Sequence, residues 1–295
     1  MVKVLYISLL VGYLAPLSVF AKIPQESAHV NVGLTTEVKS IQPGRSFSVG
    51  LFFELEKDWH TYWLNPGDSG LPVAISWKLP PGFSHGDIQW PYPTRLGTDS
   101  VVNFGYEEEV LLITDIKAPP DAKIGETIKI EANVEWLVCK EECLPGQALL
   151  TLSLPVDTKV PAFDPVWKEK FTDTRKKLPV LSQDWSIHAI IDKDHVFLQI
   201  TQPQWFENDI EKILFFPEQA ELFDYSTPQI VKNNDNGYAV QVKLSALAQK
   251  IPSALEGVLV SDQSWSRVSK KKALRVVVPL GNQNQEKKTQ KEVTR

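Results

Sequence analysis

Cys139 and Cys143 are the only cysteines in the 295 residues, with Lys140, Glu141 and Glu142 between them. Two thiols this close can exchange a disulfide for two thiolates, contribute to a metal site, or staple a turn. The ring they would close is small. Loop entropy gives a disulfide over about five residues on the order of 2 kcal/mol, against about 4.7 kcal/mol for a loop of about 100. A pair placed for stability alone does better between distant strands. Short-range pairs on an outward face suit reversible exchange, because an attacking thiolate must reach them. A simple hairpin staple in an exported protein stands beside that reading.

The flanking residues say how the pair is carried. Ile128, Ile130, Ala132, Val134, Trp136 and Val138 are apolar or small and in phase, the period of a strand with one buried face. Cys139 falls out of phase, on the side of Glu131, Asn133 and Glu135. A second run alternates as Ala148, Leu150, Leu152, Leu154 and Val156, and its outward set counts back to Cys143 if Pro145-Gly146 makes no bulge. Both sulfurs then lie on the non-core face of one hairpin. Facing Cβ atoms there are about 4.5–5.5 Å apart or closer, within reach of the roughly 3.5–4.5 Å a disulfide needs.

Residues 1–21 have a basic start at Lys3, an apolar run from Val4 to Leu17, and Ser18-Val19-Phe20-Ala21, which predicts a signal peptide cut after Ala21. Export places the cysteines where disulfides persist. Without those 21 residues, 274 of the 295 remain, enough for two domains, and the formal charge moves from −5 to −6. With no basic block outside the tail, nucleic acid is excluded as a partner class.

Nine tryptophans, 21 prolines and few helical patterns predict an all-β protein of two immunoglobulin-like β-sandwich domains joined by a short linker helix. The first domain spans 22–158. It carries alternating runs at Phe47–Leu55 and Ile75–Leu79 and an apolar run from Val110 to Ile116. Turn chemistry at Pro43-Gly44, Asn65-Pro66-Gly67, Pro80-Pro81-Gly82 and Gly125 separates them. The linker, 159–179, has Asp164 as N-cap, Pro165 at the first helical position, and an apolar side of Phe163, Val166, Trp167, Phe171 and Leu178. It is expected to pack between the domains. The second sandwich spans 180–280, with a hairpin signal at Asn236-Gly237, and 281–295 reads as a disordered polar tail.

Longer motifs now carry a resemblance. They are Trp59-His60-Thr61-Tyr62-Trp63, Asn65-Pro66-Gly67-Asp68-Ser69-Gly70-Leu71-Pro72, Trp77 to Phe83, Asn103-Phe104-Gly105-Tyr106-Glu107, and Trp136-Leu137-Val138-Cys139 with Cys143. Together these resemble the amino-terminal periplasmic domain of the thiol:disulfide interchange protein DsbD, in its ScsB-like, suppressor-of-copper-sensitivity branch. The resemblance implies a periplasmic electron relay without cofactor, with Cys139 and Cys143 as the redox pair. It implies two kinds of partner: a membrane-embedded thiol reductase, and oxidised periplasmic thioredoxin-fold or isomerase-type proteins. It also implies a cap loop at Asn103–Tyr106 with Phe104 as the lid, and His60 and Tyr62 near the sulfurs as tuning groups. Lys140 would lower a neighbouring thiol pKa, while Glu141 and Glu142 would raise it. The family continues into a membrane domain and a thioredoxin-like domain. This chain shows neither a further span nor a Cys-x-x-Cys, so the reductase is expected on a separate protein. The copper-associated branch raises a metal alternative, with Cys139, Cys143 and His60 or His85 as ligands. Copper(I) favours Cys and Met, and the single methionine is Met1, lost with the leader.

Overall fold

The computed structural model describes residues 25–98, 100–181 and 184–282; the expected signal peptide and residues 283–295 of the expected tail lie outside them. The strands before the helix are β1 (Gln25–Ser27), β2 (Val30–Thr36), β3 (Ser46–Leu55), β4 (His60–Gly67), β5 (Ala74–Lys78) and β6 (Ser84–His85). They continue as β7 (Thr94–Gly97), β8 (Val102–Glu107), β9 (Glu109–Lys117), β10 (Thr127–Cys139) and β11 (Cys143–Pro155). One sheet runs β1-β2-β3-β9-β6. The other runs β11-β10-β4-β8-β7, with β5 also along β10. Phe47, Val49, Leu51, Phe53 and Leu55 of β3 face Ile128, Ile130, Ala132, Val134, Trp136 and Val138 of β10 in one buried cluster, as their alternation requires.

The apolar run in β9 has a different cause. Val110, Leu112 and Ile116 enter the sandwich core, while Leu111 and Ile113 point the other way into a second small cluster. That cluster is closed by Phe171, fully buried, with Phe52 and Trp167 beside it. Phe171 and Trp167 come from α1 (Pro165–Lys177), whose N-cap Asp164 accepts from the backbone N–H groups of Val166 and Trp167. Gly50 of β3 makes room, since a Cβ there would stand 2.9 Å from the Phe171 ring. The helix therefore lies on the outer face of the first sandwich rather than between the domains. Only two of its five apolar side chains dock there, and Phe163 and Val166 stay exposed. Its end is tied to the second domain by Lys271, whose ammonium reaches the carbonyls of Arg175 and Leu178.

The second domain comprises β12 (Ser186–Asp192), β13 (His195–Thr201), β14 (Ile213–Pro217), β15 (Ile230–Asn234), β16 (Gly237–Lys243), β17 (Ala254–Ser261) and β18 (Ala273–Asn282). The strand order is β14-β17-β18-β12-β13-β16-β15. β18 joins the two halves: Ala273–Pro279 pair with β17, and Leu280–Asn282 pair in parallel with β12. Gly281 and Asn282, read from sequence as tail, are thus strand. The β15–β16 turn is Asp235-Asn236, one residue earlier than expected, and Gly237 opens β16 because a Cβ there would stand 2.1 Å from the Ile200 carbonyl oxygen.

The two domains share one continuous buried apolar cluster. Trp63 and Phe104 of the first set their rings edge-on to Phe216 of the second, and Phe104 also meets Tyr225. Among the described residues no helix is long and apolar enough to cross a membrane. Truncation of the helix anchor, Phe171→Ala, should lower unfolding stability by about 3–5 kcal/mol, seen as a lower urea midpoint at unchanged m-value.

Candidate functional site

The β10–β11 ladder runs residue for residue from Thr127↔Pro155 to Cys139↔Cys143, so Pro145-Gly146 introduces no bulge. Gly146 is needed for packing instead, because the Trp136 indole lies against it and a Cβ would stand 2.3 Å from that ring. At the end of the ladder Cys139 and Cys143 are joined by a disulfide, with Cα atoms 4.2 Å apart. The Lys140–Glu142 turn is closed by the Lys140 N–H donating to the Glu142 carbonyl at 3.1 Å.

The two sulfurs have different surroundings. Cys143 is exposed on the sheet's edge strand, whereas Cys139 is only 3% exposed. The cover comes from β4, which pairs with the last residues of β10 as Thr61↔Val138 and His60↔Cys139. From β4 the Tyr62 hydroxyl donates to Cys139 Sγ at 2.8 Å and stands 3.8 Å from Cys143 Sγ. Burial raises the Tyr62 pKa, so the hydroxyl keeps the proton it donates. Gly70, in the left-handed region at φ 100°, lies against the Tyr62 ring, where a Cβ would come within 2.3 Å. No side chain larger than hydrogen fits that place.

His60 sits edge-on to Tyr62 with ring centroids 5.2 Å apart. Its Nε2 is buried and finds no hydrogen-bond partner among the described residues, and burial lowers its pKa. It is therefore a neutral ring beside the tyrosine, not a cation beside the sulfurs. The ammonium of Lys140 is held by Asp58 at 3.0 Å, which ties the cysteine turn to the β3–β4 turn.

The cap-loop expectation is corrected. Val102–Glu107 is a strand, hydrogen-bonded between β4 and β7, and not a loop. Phe104 is buried at the domain boundary against Phe216 and Tyr225, and Tyr106 donates from its hydroxyl to the Pro91 carbonyl at 2.6 Å. A loop is what the family resemblance implies for this segment. The role of Gly105 is close strand approach, since a Cβ would stand 2.0 Å from the Thr61 carbonyl oxygen. What lies over the tyrosine is the segment around Gly70, for which Asp68-Ser69-Gly70 was the available signal. The ligand set of the metal alternative is not brought together. His85 is on β6 in the other sheet, and among the described residues no three His, Cys, Asp or Glu side chains converge on one point.

The sandwich end thus presents one open and one covered sulfur of a disulfide, with a hydroxyl on the covered one, an arrangement that suits thiol–disulfide exchange. The comparisons agree. Residues 31–155 match the family model "Thiol:disulfide interchange protein DsbD, N-terminal". Both domains together share the fold of the N-terminal periplasmic domain of ScsB from Proteus mirabilis. The TM-score is 0.64 at 17% identity, covering 88% of this chain and 98% of that one. The yeast GGA1 GAE domain follows at a TM-score of 0.26 and 16% identity, covering 45% of this chain and 96% of that one. A search of curated proteins found no match.

The buried neutral state of His60 has a consequence in acid. Above the ordinary value of 6.5 the ring is neutral whether folded or not. As pH falls below that value the unfolded chain takes up a proton that the buried ring resists, so stability is lost on the acid side. Denaturant titrations at about pH 7 and about pH 5 should show a smaller acid loss for His60→Gln than for the wild type; an equal loss would mean the ring titrates freely.

Proposed function

We propose that this protein is a periplasmic electron carrier that passes reducing equivalents through Cys139 and Cys143. The donor is a membrane-embedded thiol reductase, and the acceptors are oxidised periplasmic proteins of the thioredoxin-fold or isomerase type. The observation that carries this reading is the unequal pair: one sulfur open to attack, the other buried under the Tyr62 hydroxyl. The match of residues 31–155 to the DsbD N-terminal family model supports it.

In the proposed cycle a donor thiolate attacks Cys143 Sγ, the exposed sulfur. A donor–Cys143 bond forms, the Cys139–Cys143 bond breaks, and Cys139 leaves as a thiolate that accepts the Tyr62 O–H. The donor's second thiolate then attacks its own sulfur in the mixed disulfide, which releases Cys143 as a thiolate. The donor is oxidised to a disulfide and this pair is reduced by two electrons. Delivery runs the same steps in reverse: Cys143 attacks the acceptor's disulfide, and Cys139 resolves the mixed species. A lower leaving-thiol pKa speeds departure, and a hydrogen bond to a charged group contributes about 1.5–3 kcal/mol, so Tyr62 bears directly on the rate.

The sandwich end that carries the sulfurs is acidic. Glu107 and Glu108 are exposed beside His60's strand, Glu141 and Glu142 form the cysteine turn, and Lys140 is already paired with Asp58, as Glu109 is with Lys170. A partner with a basic surface around its own cysteine is steered here, and salt weakens that steering. Stopped-flow reduction of such a partner should slow as ionic strength rises, while reaction with an uncharged small dithiol should not; equal salt dependence would argue against an electrostatic docking face.

Thiol trapping in glutathione buffers tests the central reading. The wild-type pair should equilibrate at physiological potentials, and Cys139→Ser and Cys143→Ser should each abolish partner reduction while unfolding near the midpoint of the reduced wild type. A disulfide that stays closed below about −300 mV would mark a structural staple instead. Tyr62→Phe should raise the Cys139 thiol pKa by about one unit in a Cys143→Ser background, measured from thiolate absorbance.

A further inference from the structure

The disulfide leans on Tyr62, which pairs with Gly105 of β8 but is the last residue of β4 to do so before the ladder lapses. β4 pairs with β10 at His60 and Thr61, and with β8 at His60, Thr61, Tyr62 and then Gly67, where the register shifts. Among the described residues no ladder pair is made by Trp63, Leu64, Asn65 or Pro66 on either side. Where the ladder lapses between the functional tyrosine and Gly67, the strand is held by other contacts: the Trp63 ring against Phe216, and a further anchor beyond it. Asn65 is that anchor. It is 1% exposed, and its amide nitrogen donates across the domain boundary to the Pro217 carbonyl at 2.7 Å, with the Tyr225 hydroxyl at 3.0 Å and the Gln219 carbonyl at 3.3 Å.

The receiving surface is built for it. β14 is an edge strand of the second domain. Along its open edge the Phe215 N–H and carbonyl are satisfied by the side chain of Gln229, at 2.9 and 2.7 Å, and the Pro217 carbonyl by Asn65. Side-chain amides thus stand where another strand would pair. The other end of Asn65 faces back to the redox site. Its Oδ1 accepts the Gly67 N–H at 3.1 Å. The chain then turns at Gly67 and is fastened to β8, with Asp68 accepting the Val102 N–H at 2.7 Å and Asn103 Oδ1 accepting the Ser69 N–H at 3.2 Å and hydroxyl at 3.0 Å. The next residue, Gly70, rests against the Tyr62 ring.

We propose that Asn65 is a positioning residue for the redox pair: gripped by the second domain, it holds both the strand from which Tyr62 reaches Cys139 and the segment that lies over the Tyr62 ring. The second domain then serves the chemistry by fixing a hydroxyl on a sulfur, without contributing a reacting group. This rests on the exchange reading of Cys139 and Cys143.

The test is a titration of the Cys139 thiol by thiolate absorbance in the full chain carrying Cys143→Ser. Asn65→Ala, and Asn65→Asp, which keeps Oδ1 but loses the donors, should raise the thiol pKa by about half a unit, roughly a threefold loss of thiolate below it. In a Tyr62→Phe background the same substitutions should add no further rise, because Tyr62 is the route. An unchanged titration, or an equal shift with and without Tyr62, would overturn the proposal and leave Asn65 as packing between domains. If Asn65→Ala fails to fold, Tyr225→Phe, which removes one acceptor, decides by the same titration: a smaller rise supports the proposal and none overturns it. The measurement uses no partner, so it separates from the exchange reading. A wild type that equilibrates with glutathione but whose titration ignores Asn65 sinks this inference alone.

Discussion

The arrangement depends on one contact, the pairing of β4 against the last two residues of β10. It sets His60 opposite Cys139 and brings the Tyr62 hydroxyl to 2.8 Å from its sulfur. Without that strand, both cysteines would sit on the outward face of an edge hairpin and be equivalent. With it, one is a covered sulfur with a hydrogen-bond donor and the other an open one. Direction in a disulfide exchange comes from such inequality, because the sulfur that is attacked and the sulfur that leaves are chosen by access and by thiolate stability.

The donor on the covered sulfur is neutral. The nearby cation, Lys140, is occupied by Asp58, and His60 is kept uncharged by burial. A cation against Cys139 would favour the thiolate strongly and pull the pair toward its reduced form. A hydroxyl favours it modestly. A carrier that must both accept and surrender electrons is served by the weaker bias, since either extreme would trap it in one state.

The second domain has no cysteine and no reacting group, yet it is more than an appendage. Its apolar interior is continuous with that of the first, and its edge strand is closed by two side-chain amides, one of them from the redox domain. Phe104, which family resemblance places over the disulfide, is instead committed to this boundary. A ring clamped between Phe216 and Tyr225 and carried on a paired strand is not free to swing. The small residue that permits tight cover of the tyrosine, Gly70, does its work from a different segment.

Much of this was legible in the residues. Strict alternation from Ile128 to Val138 and from Ala148 to Val156 determined the hairpin, its register and the out-of-phase place of both cysteines, because a period of two leaves each side chain only one of two faces. Asp164-Pro165 marked the start of the helix, since an N-cap carboxylate and a proline without N–H both suit a helix's first turn. Outward-facing was not the same as exposed, however. Cys139 is buried because β4, some 77 residues earlier, lies alongside it, and no local pattern reports which strand becomes a neighbour. Likewise Gly105 and the Asn65-Pro66-Gly67 run carry turn residues, but close strand approach and an inter-domain hydrogen bond are what use them. Sequence by itself determined which residues could do the chemistry and on which face of their hairpin they stand. Only the tertiary structure decided which sulfur is covered and by what, because burial is set by contacts between segments distant along the chain.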